Sequence, residues 1–303
     1  MRVALAVRIA LIPLDGLPGA WRGGTIGQHV GTGMNLRERN NVQIEGSGHV
    51  TLILSHGFGC DQSMWRLLLP HFSRRYRVVT YDLVGAGGSD IGAYDYEKYA
   101  SLWGYAADLN EIIDEYRAGP VIVVGHSVSA MIAVLAEVRS PGSLGGLIMI
   151  GGSPCYTDTG TYTGGFSRDE LHELLAAIDD NFLGWSSTMA PVLMGAPGQP
   201  AVAQELQSSF CRTDAQIARH FARVIFLSDH RQDVAGLAVP TLILQSAGDP
   251  VAPLAVGDYL HDVLPDSQLS VIDNMGHYPQ LSAPSACSAA IDAFLQRYGG
   301  GHE

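Results

Sequence analysis

The sequence predicts an α/β fold, with a mostly parallel central sheet and helices on both of its faces. Three observations lead to this prediction. From Val42 onward, short apolar runs alternate with segments of helical periodicity. The runs are continuously apolar, which is typical of strands covered on both faces, as in parallel sheets. The alternation stops once, between Ser153 and Asp233, which indicates a segment inserted between two strands of one sheet.

Six apolar runs have the length of strands, and the segments between them have the spacing of helices. The strand candidates are VTLILS (50–55), RVVTYD (77–82), VIVV (121–124), LGGLIMIG (144–151), PTLILQ (240–245) and QLSVID (268–273). The helix candidates cover about 63–75, 98–117, 127–139, 254–264 and 284–298.

The interrupting segment, residues 153–233, has helical periodicity and no strand candidate. Its predicted helices cover approximately 168–180, 182–194, 201–211 and 214–228. An all-helical insertion between two strands predicts a four-helix lid over the sheet. Its aromatic side chains are candidates for a substrate pocket, although their helical spacing is equally that of residues packing the lid onto the sheet. The four candidates are Phe166, Phe182, Trp185 and Phe226.

These patterns divide the chain into a core, residues 36–152 and 234–300, and the lid, residues 153–233. The first residues, 1–35, fit neither part. MRVALAVRIALIPLDGLPGAW resembles a short leader, but Arg8 interrupts the apolar segment and no clear small-residue cleavage site follows. Because Met34 begins a segment typical of a protein start, we expect 1–35 to be a disordered extension or an over-long start.

Composition excludes several classes of function. The 303 residues carry a net charge of −12, whereas nucleic-acid binding needs a basic surface. No apolar run reaches the roughly 18 residues of a spanning helix, so no membrane partner is predicted. The cysteines are widely spread without zinc spacing, which favours reduced thiols and a cytoplasmic location. Since neither a metal-ligand cluster nor a dinucleotide fingerprint is present, we predict no metal and no cofactor. The cysteines are Cys60, Cys155, Cys211 and Cys287.

A serine stands where the third long apolar run becomes a helix. In VIVVGHSVSAMIAVLAEVRS (121–140), Gly125 ends the run and helical spacing begins after Ser127. Such a turn holds the intervening side chain at the carboxyl edge of the sheet, as in the nucleophile elbow G-x-S-x-G. Ser129 replaces the last glycine, a mild departure because serine is small. We predict Ser127 to be a nucleophile; the alternative is an ordinary helix start.

A serine nucleophile needs a base to take its proton and an acid to orient that base. On this type of sheet they follow in the order Ser, acid, His. His277, in DNMGHYPQ, follows the last strand candidate, and Asp249, in LILQSAGDPVAP, follows the preceding one. Both therefore lie at the edge where open α/β sheets place their sites. Asp273 is a rival acid; a turn-forming aspartate and a loop histidine are the structural alternatives. His126 is predicted to be structural.

The transition state of acyl transfer carries a negatively charged oxygen that fixed donors must stabilise. The loop SHGFG (55–59) follows the first long strand candidate, and its glycines allow backbone N–H groups to point inward. We predict that the amides of Phe58 and Val128 form this oxyanion hole. A glycine turn that serves only the fold is the alternative.

Several segments together resemble a known family. HGFGCDQSMWR, YDLVGAGGSD, GYAADL, GHSVSAM, GGSPCY, FCRTD, FLSDHR and GHYPQLSAP are similar to the RsbQ-type branch of the α/β-hydrolases. That branch contains the bacterial stress-pathway hydrolase RsbQ and the strigolactone and karrikin receptors of plants. The resemblance covers residues 36–298 almost without a gap. It implies the α/β-hydrolase fold, a Ser127, Asp249 and His277 triad, oxyanion donors at Phe58 and Val128, and a four-helix lid.

Two functions are open at this point. The first is a serine hydrolase of a small apolar ester or lactone. The second, implied by the resemblance, is a ligand sensor that engages a protein through its lid, such as a regulatory serine phosphatase. Serine at the elbow argues against dehalogenases and epoxide hydrolases, which use aspartate there. Carbon–carbon bond hydrolysis and cofactor-free perhydrolase chemistry use the same triad and stay open.

Overall fold

The computed structural model describes residues 35–298, and within them one sheet of seven strands forms the centre of the molecule. The strands are β1 (Gln43–Glu45), β2 (Thr51–Ser55), β3 (Arg77–Tyr81), β4 (Val121–His126), β5 (Gly146–Ile150), β6 (Thr241–Ser246) and β7 (Ser267–Ile272). Their order across the sheet is β1-β3-β2-β4-β5-β6-β7, and only β1 runs antiparallel to its neighbour. The predicted α/β class with a mostly parallel sheet is confirmed.

The middle strands are buried along their whole length, as their continuous apolar runs predict. Every residue of β2, β4, β5 and β6 is buried, whereas β7, at one edge, is partly or fully exposed except at Ile272. In the register, Ser55 pairs with Gly125, and His126 pairs with Ile150. The carboxyl ends of β2, β4 and β5 therefore lie side by side, and the loops that follow them meet at one edge.

Helices follow the strands and pack on the sheet: α4 on β4 and β5, and α10 and α12 on β6 and β7. The α-helices are α1 (Leu36–Arg39), α2 (Leu69–Phe72), α3 (Leu102–Tyr116), α4 (Val128–Arg139), α5 (Arg168–Asp180), α6 (Phe182–Met194), α7 (Pro200–Arg212), α8 (Ala215–Phe226), α9 (Arg231–Ala235), α10 (Leu254–Val263), α11 (Pro279–Ser282) and α12 (Pro284–Leu295). Short 3₁₀ helices cover Gln62–Trp65, Ile91–Ala93 and Gln296–Tyr298.

The helix predicted over 63–75 is wrong as a single element. The segment divides into the 3₁₀ helix Gln62–Trp65 and the four-residue α2. Pro70 lies in the first turn of α2 and has no backbone N–H, so it cannot continue a hydrogen-bonded helix from the preceding turn. The last predicted helix also ends earlier than expected, at Leu295, and continues as a 3₁₀ turn.

Residues 153–233, here called the helical insertion, contain α5 to α8, within two residues of the predicted bounds. Capping side chains fix where these helices begin. Ser167 and Glu170 form a reciprocal capping box at α5, and Asp214 caps α8. The buried face of α8 repeats every turn, through Ile217, Phe221 and Ile225. This face attaches the insertion to the rest of the molecule.

The prediction for residues 1–35 lies outside the described residues, apart from residue 35. Among residues 35–298, no helix is both long enough and apolar enough to cross a membrane.

Candidate active site

Ser127 lies in the turn between β4 and α4, with an unusual backbone conformation. Its φ is 55° and its ψ is −121°. Positive φ is rare and strained for a residue with a side chain, and such strain is concentrated at functional sites. The Ser127 N–H donates to the carbonyl oxygen of Ile150 at 2.8 Å, which ties the strained turn to the neighbouring strand β5. The side chain is held at the carboxyl edge, as the elbow pattern predicts.

Close packing behind the turn explains the glycine before it. A Cβ at Gly125 would lie 2.6 Å from the backbone carbonyl of Ser129, which is closer than any real contact. The start of α4 therefore packs directly against the end of β4. A larger residue at position 125 would push the helix away and move Ser127 with it.

His277 and Asp249 meet Ser127 from two separate loops. The Nε2 atom of His277 lies 2.9 Å from the Ser127 Oγ. On the other side of the ring, Nδ1 lies 2.8 Å and 3.0 Å from the two carboxylate oxygens of Asp249. All three side chains are buried. The sequence-predicted nucleophile, base and acid thus form one continuous hydrogen-bonded row, the arrangement that makes a serine nucleophilic.

Two further hydrogen bonds fix the Asp249 carboxylate. Its Oδ1 accepts from the backbone N–H groups of Val251 at 2.8 Å and Ala252 at 3.0 Å. The rival acid, Asp273, is exposed and makes no such contact with His277. The structure therefore brings Asp249 to the imidazole and leaves Asp273 outside the row.

The two amides predicted for the oxyanion hole belong to the loop after β2 and to the first residue of α4. Among residues 35–298, neither the Phe58 nor the Val128 N–H donates to a protein acceptor. An amide in the first turn of a helix has no partner within that helix.

The Phe58 side chain anchors its loop to the helical insertion. Its ring centroid lies between 5.9 and 6.5 Å from four rings of the insertion. Those rings belong to Phe182, Trp185, Phe210 and Phe221. At Gly57, a Cβ would lie 2.5 Å from the His126 ring, so the loop also packs tightly against β4.

Ser129, which replaces the last glycine of the elbow pattern, connects this loop to α4. Its hydroxyl donates to the backbone carbonyl of His56 at 2.5 Å and accepts from the Ser55 hydroxyl at 2.9 Å. The Ser55 hydroxyl in turn lies 2.6 Å from the hydroxyl of Tyr81. This buried row of hydroxyls holds the backbone two residues before Phe58. The elbow pattern predicts only a small residue at Ser129 and does not reveal this role.

His126 is structural, as predicted. It is fully buried, and its Nε2–H donates to the backbone carbonyl of His277 at 2.8 Å. Burial, followed by the electrostatic effect of the nearby His277 ring, holds the pKa of His126 well below its usual value. The neutral ring is therefore a permanent donor to the loop that carries His277.

An apolar cavity of about 40 Å³ opens beside Ser127. Of the four predicted pocket residues, Phe166, Trp185 and Phe226 line it. Phe182 does not: it is 1% exposed, and its ring stacks on Trp185 at a centroid distance of 6.2 Å. The prediction for Phe182 is corrected because its side chain packs behind the lining residue.

Several residues that the sequence patterns do not single out also line the cavity. They are Phe58, Tyr156, Leu174, Met189, Leu193, Phe210, Ile225, Val251 and Tyr278. Two positions carried a usable signal, because Met189 and Leu193 follow the predicted Trp185 at intervals of four residues and so share its helix face. Burial raises the pKa of Tyr156 to about 12, although its interaction with the Ser127 side chain lowers it. Its hydroxyl therefore stays protonated beside the nucleophile.

No group of three or more His, Cys, Asp or Glu side chains among the described residues is arranged to hold a metal ion.

A family model described as the alpha/beta hydrolase family matches residues 52–290. The chain belongs to this family. The matched range begins within β2 and ends within α12, so it includes Ser127, Asp249 and His277.

Individual relatives show which branch of the family this chain resembles. The chain is 39% identical over 250 residues to Karrikin insensitive 2 receptor CA of Petunia hybrida, covering 82% of this chain and 93% of the relative. It is 38% identical over 264 residues to Strigolactone esterase D14 of Arabidopsis thaliana, covering 87% and 97%. A solved hydrolase from Oleispira antarctica superposes with a TM-score of 0.82 at 38% identity, covering 86% and 96%. The resemblance inferred from the sequence motifs is confirmed.

Proposed function

We propose that this α/β-hydrolase cleaves a small apolar ester or lactone through an acyl-enzyme on Ser127. The observation that carries the proposal is the hydrogen-bonded row from Asp249 through His277 to Ser127, which ends in an apolar cavity. The names of relatives support ester chemistry, since one is a strigolactone esterase and another a pimeloyl-[acyl-carrier protein] methyl ester esterase.

In acylation, Ser127 is the nucleophile and His277 first accepts and then donates a proton. As the Ser127 Oγ forms a bond to the substrate carbonyl carbon, its proton passes to His277 Nε2, 2.9 Å away. The carbonyl electron pair moves to the oxygen, which the amides of Phe58 and Val128 stabilise. When the tetrahedral intermediate collapses, the bond to the alkoxy oxygen breaks and His277 returns the proton to that oxygen. The products are an alcohol and an acyl-enzyme; a lactone keeps its alcohol attached to the acyl group.

Deacylation repeats these steps with water as the nucleophile. His277 takes a proton from water as the water oxygen attacks the acyl carbon, and then returns it to the Ser127 Oγ as the acyl bond breaks. A carboxylic acid leaves and the free serine is restored. The Asp249 carboxylate orients the imidazole and stabilises the imidazolium in both halves of the reaction.

The lining of the cavity favours a substrate with an apolar acyl group. Aromatic and aliphatic side chains form most of the wall, and the polar groups are few: those at the Ser127 end, the hydroxyls of Tyr156 and Tyr278, and the indole N–H of Trp185. The helical insertion supplies much of the wall through Trp185, Met189 and Phe226, and we propose that it acts as a lid.

The test is turnover of p-nitrophenyl acetate by the wild-type chain and by Ser127→Ala. The proposal predicts steady release of p-nitrophenol by the wild type and a fall to the background rate in the variant. Ser143→Ala is a matched control, because the Ser143 hydroxyl contacts Glu137 at a turn after α4 and lies outside the site. Equal rates in Ser127→Ala and wild type contradict the proposal.

A second candidate function is ligand sensing, with a protein partner engaged through the helical insertion. The similarity to a protein named as a karrikin insensitive receptor favours it. A partner such as a regulatory serine phosphatase belongs to this candidate. The two functions differ in their kinetics: an enzyme releases many products per protein at a constant rate, whereas a sensor that retains its ligand gives a burst of about one product followed by slow turnover.

A cytoplasmic location also belongs to the proposal. Cys60, Cys155, Cys211 and Cys287 are all free thiols, as expected for a reducing compartment. Fractionation of the producing cells tests this location.

A further inference from the structure

The backbone of His277 is held from two sides by different parts of the molecule. Its carbonyl oxygen accepts from His126 Nε2, at 2.8 Å, on the central strand β4. Its N–H donates to the carbonyl oxygen of Leu193, at 2.7 Å, in the last turn of α6. The sheet thus fixes the carbonyl group of His277, and the helical insertion fixes its N–H group.

The contact between the two segments is tight enough to transmit small displacements. A Cβ at Gly276 would overlap the carbonyl oxygen of Met194 and lie 2.8 Å from that of Leu193. From the opposite side, a Cβ at Gly195 would lie 2.5 Å from the backbone nitrogen of Gly276. Bare backbone therefore packs on bare backbone, with no flexible side chain between the end of α6 and the His277 loop.

The same helix lines the cavity. Trp185, Met189 and Leu193 lie one turn apart on α6 and face the space beside Ser127. This space is small, about 40 Å³, so a longer acyl group would press on the wall that α6 supplies. Because the Leu193 carbonyl oxygen accepts from the His277 N–H, a movement of α6 would also move His277.

Pro191 removes one backbone hydrogen bond from the last turn of α6. It lies inside the helix and has no N–H with which to bond the carbonyl oxygen of Ser187, one turn earlier. After it, the helix ends at Gly195, which has a left-handed conformation with φ 61° and donates to the carbonyl oxygen of Pro191 at 3.1 Å. The turn that carries Leu193 is thus joined to the rest of α6 by an incomplete set of hydrogen bonds.

We infer that the last turn of α6 is a positioning element for His277, and that it couples occupancy of the cavity to the geometry of the base. This inference rests on the proposed function. The chemical consequence is that an acyl group which leaves α6 in the position described here keeps His277 Nε2 in line with the Ser127 Oγ. An acyl group that displaces the last turn moves the imidazole away and slows proton transfer.

The test inserts one methyl group into the contact. In Gly276→Ala, the new Cβ must separate the His277 loop from Met194, so kcat for p-nitrophenyl acetate is expected to fall roughly 10- to 100-fold, as for a misplaced catalytic group. KM should change little, because the cavity wall is intact. Gly198→Ala is the matched control: it lies three residues beyond Gly195, and a Cβ there has nothing within 4 Å.

A pH profile separates positioning from a general loss of stability. If the imidazole moves away from Asp249, it becomes a weaker base, so the acidic limb of kcat/KM in Gly276→Ala shifts to lower pH. Leu193→Ala provides a contrast, because it removes a side chain from the cavity and leaves the backbone carbonyl in place. It should alter KM and the preference for acyl length without shifting the acidic limb.

The inference is overturned if folded Gly276→Ala has a kcat within about twofold of wild type, or if kcat falls with an unshifted acidic limb. Should Gly276→Ala fail to fold, Gly195→Ala places a methyl group in the same contact from the α6 side. It is judged by the same two criteria. Failure of the proposed function is distinguishable, because it would appear first as wild-type turnover that survives in Ser127→Ala.

Discussion

The Nε2 atom of His277 lies 2.9 Å from the Oγ of Ser127, although 150 residues separate the two in the chain. The sheet produces this proximity: Ser127 follows β4 and His277 follows β7, and parallel strands end at one edge. The acid reaches the same edge after β6. Each residue therefore depends on a different strand end, and the following variants test their separate contributions.

The orienting acid is tested by Asp249→Asn. An amide in place of the carboxylate cannot stabilise the imidazolium and favours the wrong tautomer, so kcat is expected to fall roughly 10³- to 10⁴-fold. Asp273→Asn is the control, since Asp273 is exposed and lies outside the row. Steady-state kinetics of both variants provide the measurement; a large loss in Asp273→Asn with a small one in Asp249→Asn would reverse the assignment.

The cavity wall is tested by comparing Phe226→Ala with Phe182→Ala. Phe226 lines the cavity, so its removal is expected to raise kcat/KM for p-nitrophenyl octanoate relative to acetate, by roughly tenfold for the two or three methylene groups it admits. Phe182 packs behind Trp185, so Phe182→Ala should lower the free energy of unfolding by about 3–5 kcal/mol without that change in preference. The same shift in chain-length preference in both variants would contradict the distinction.

The row of hydroxyls formed by Ser129, Ser55 and Tyr81, behind the loop that follows β2, is tested by Ser129→Ala. Loss of the hydroxyl leaves the buried carbonyl of His56 and the Ser55 hydroxyl without this partner, which should lower the free energy of unfolding by about 1–3 kcal/mol. Since Phe58 lies two residues further along, kcat should fall as well. Urea unfolding and steady-state kinetics measure the two effects. Ser187→Ala, on the exposed surface of α6, should change neither.

The buried, neutral His126 makes stability depend on pH. Its pKa is depressed in the folded chain, whereas in the unfolded chain the pKa is near the ordinary histidine value of 6.5. Below that value the unfolded state binds more protons, so the free energy of unfolding should fall as pH drops from 7.5 towards 5.5, at most by about 1.4 kcal/mol per pH unit for this group. Urea unfolding of His126→Gln should show a smaller slope, while exposed His261→Gln keeps the wild-type slope. Equal slopes in wild type and His126→Gln would show that His126 titrates normally.

Periodicity and short-range motifs were sufficient for the elements of the fold and for the residues of the row. Continuous apolar runs located β2 to β7, and the order of Ser, acid and His along the chain located Ser127, Asp249 and His277. These signals are local, because each depends on a strand and the loop directly after it. The prediction of one helix over 63–75 is wrong because it depended on the spacing of apolar residues. It gave too little weight to Pro70, which interrupts the backbone hydrogen bonds of a helix.

The cavity wall and the contacts behind the row could not be predicted in the same way. Phe182 and Trp185 lie on the same helix three residues apart, but only Trp185 lines the cavity, because the rotation of α6 against the sheet is set by tertiary packing. The Ser129 hydroxyl and the Leu193 carbonyl act on segments 73 and 84 residues away in the chain, and no local pattern marks such pairs.

The central claim is that the hydroxyl of Ser127 is the reacting nucleophile, and covalent labelling tests it most directly. The chain is treated with a p-nitrophenyl alkylphosphonate, digested and mapped by mass spectrometry. We predict one phosphonyl group per protein on the peptide that contains Ser127, with much slower labelling in Asp249→Asn. Labelling of a different residue, or unimpaired ester turnover by a protein fully labelled at Ser127, would contradict the claim.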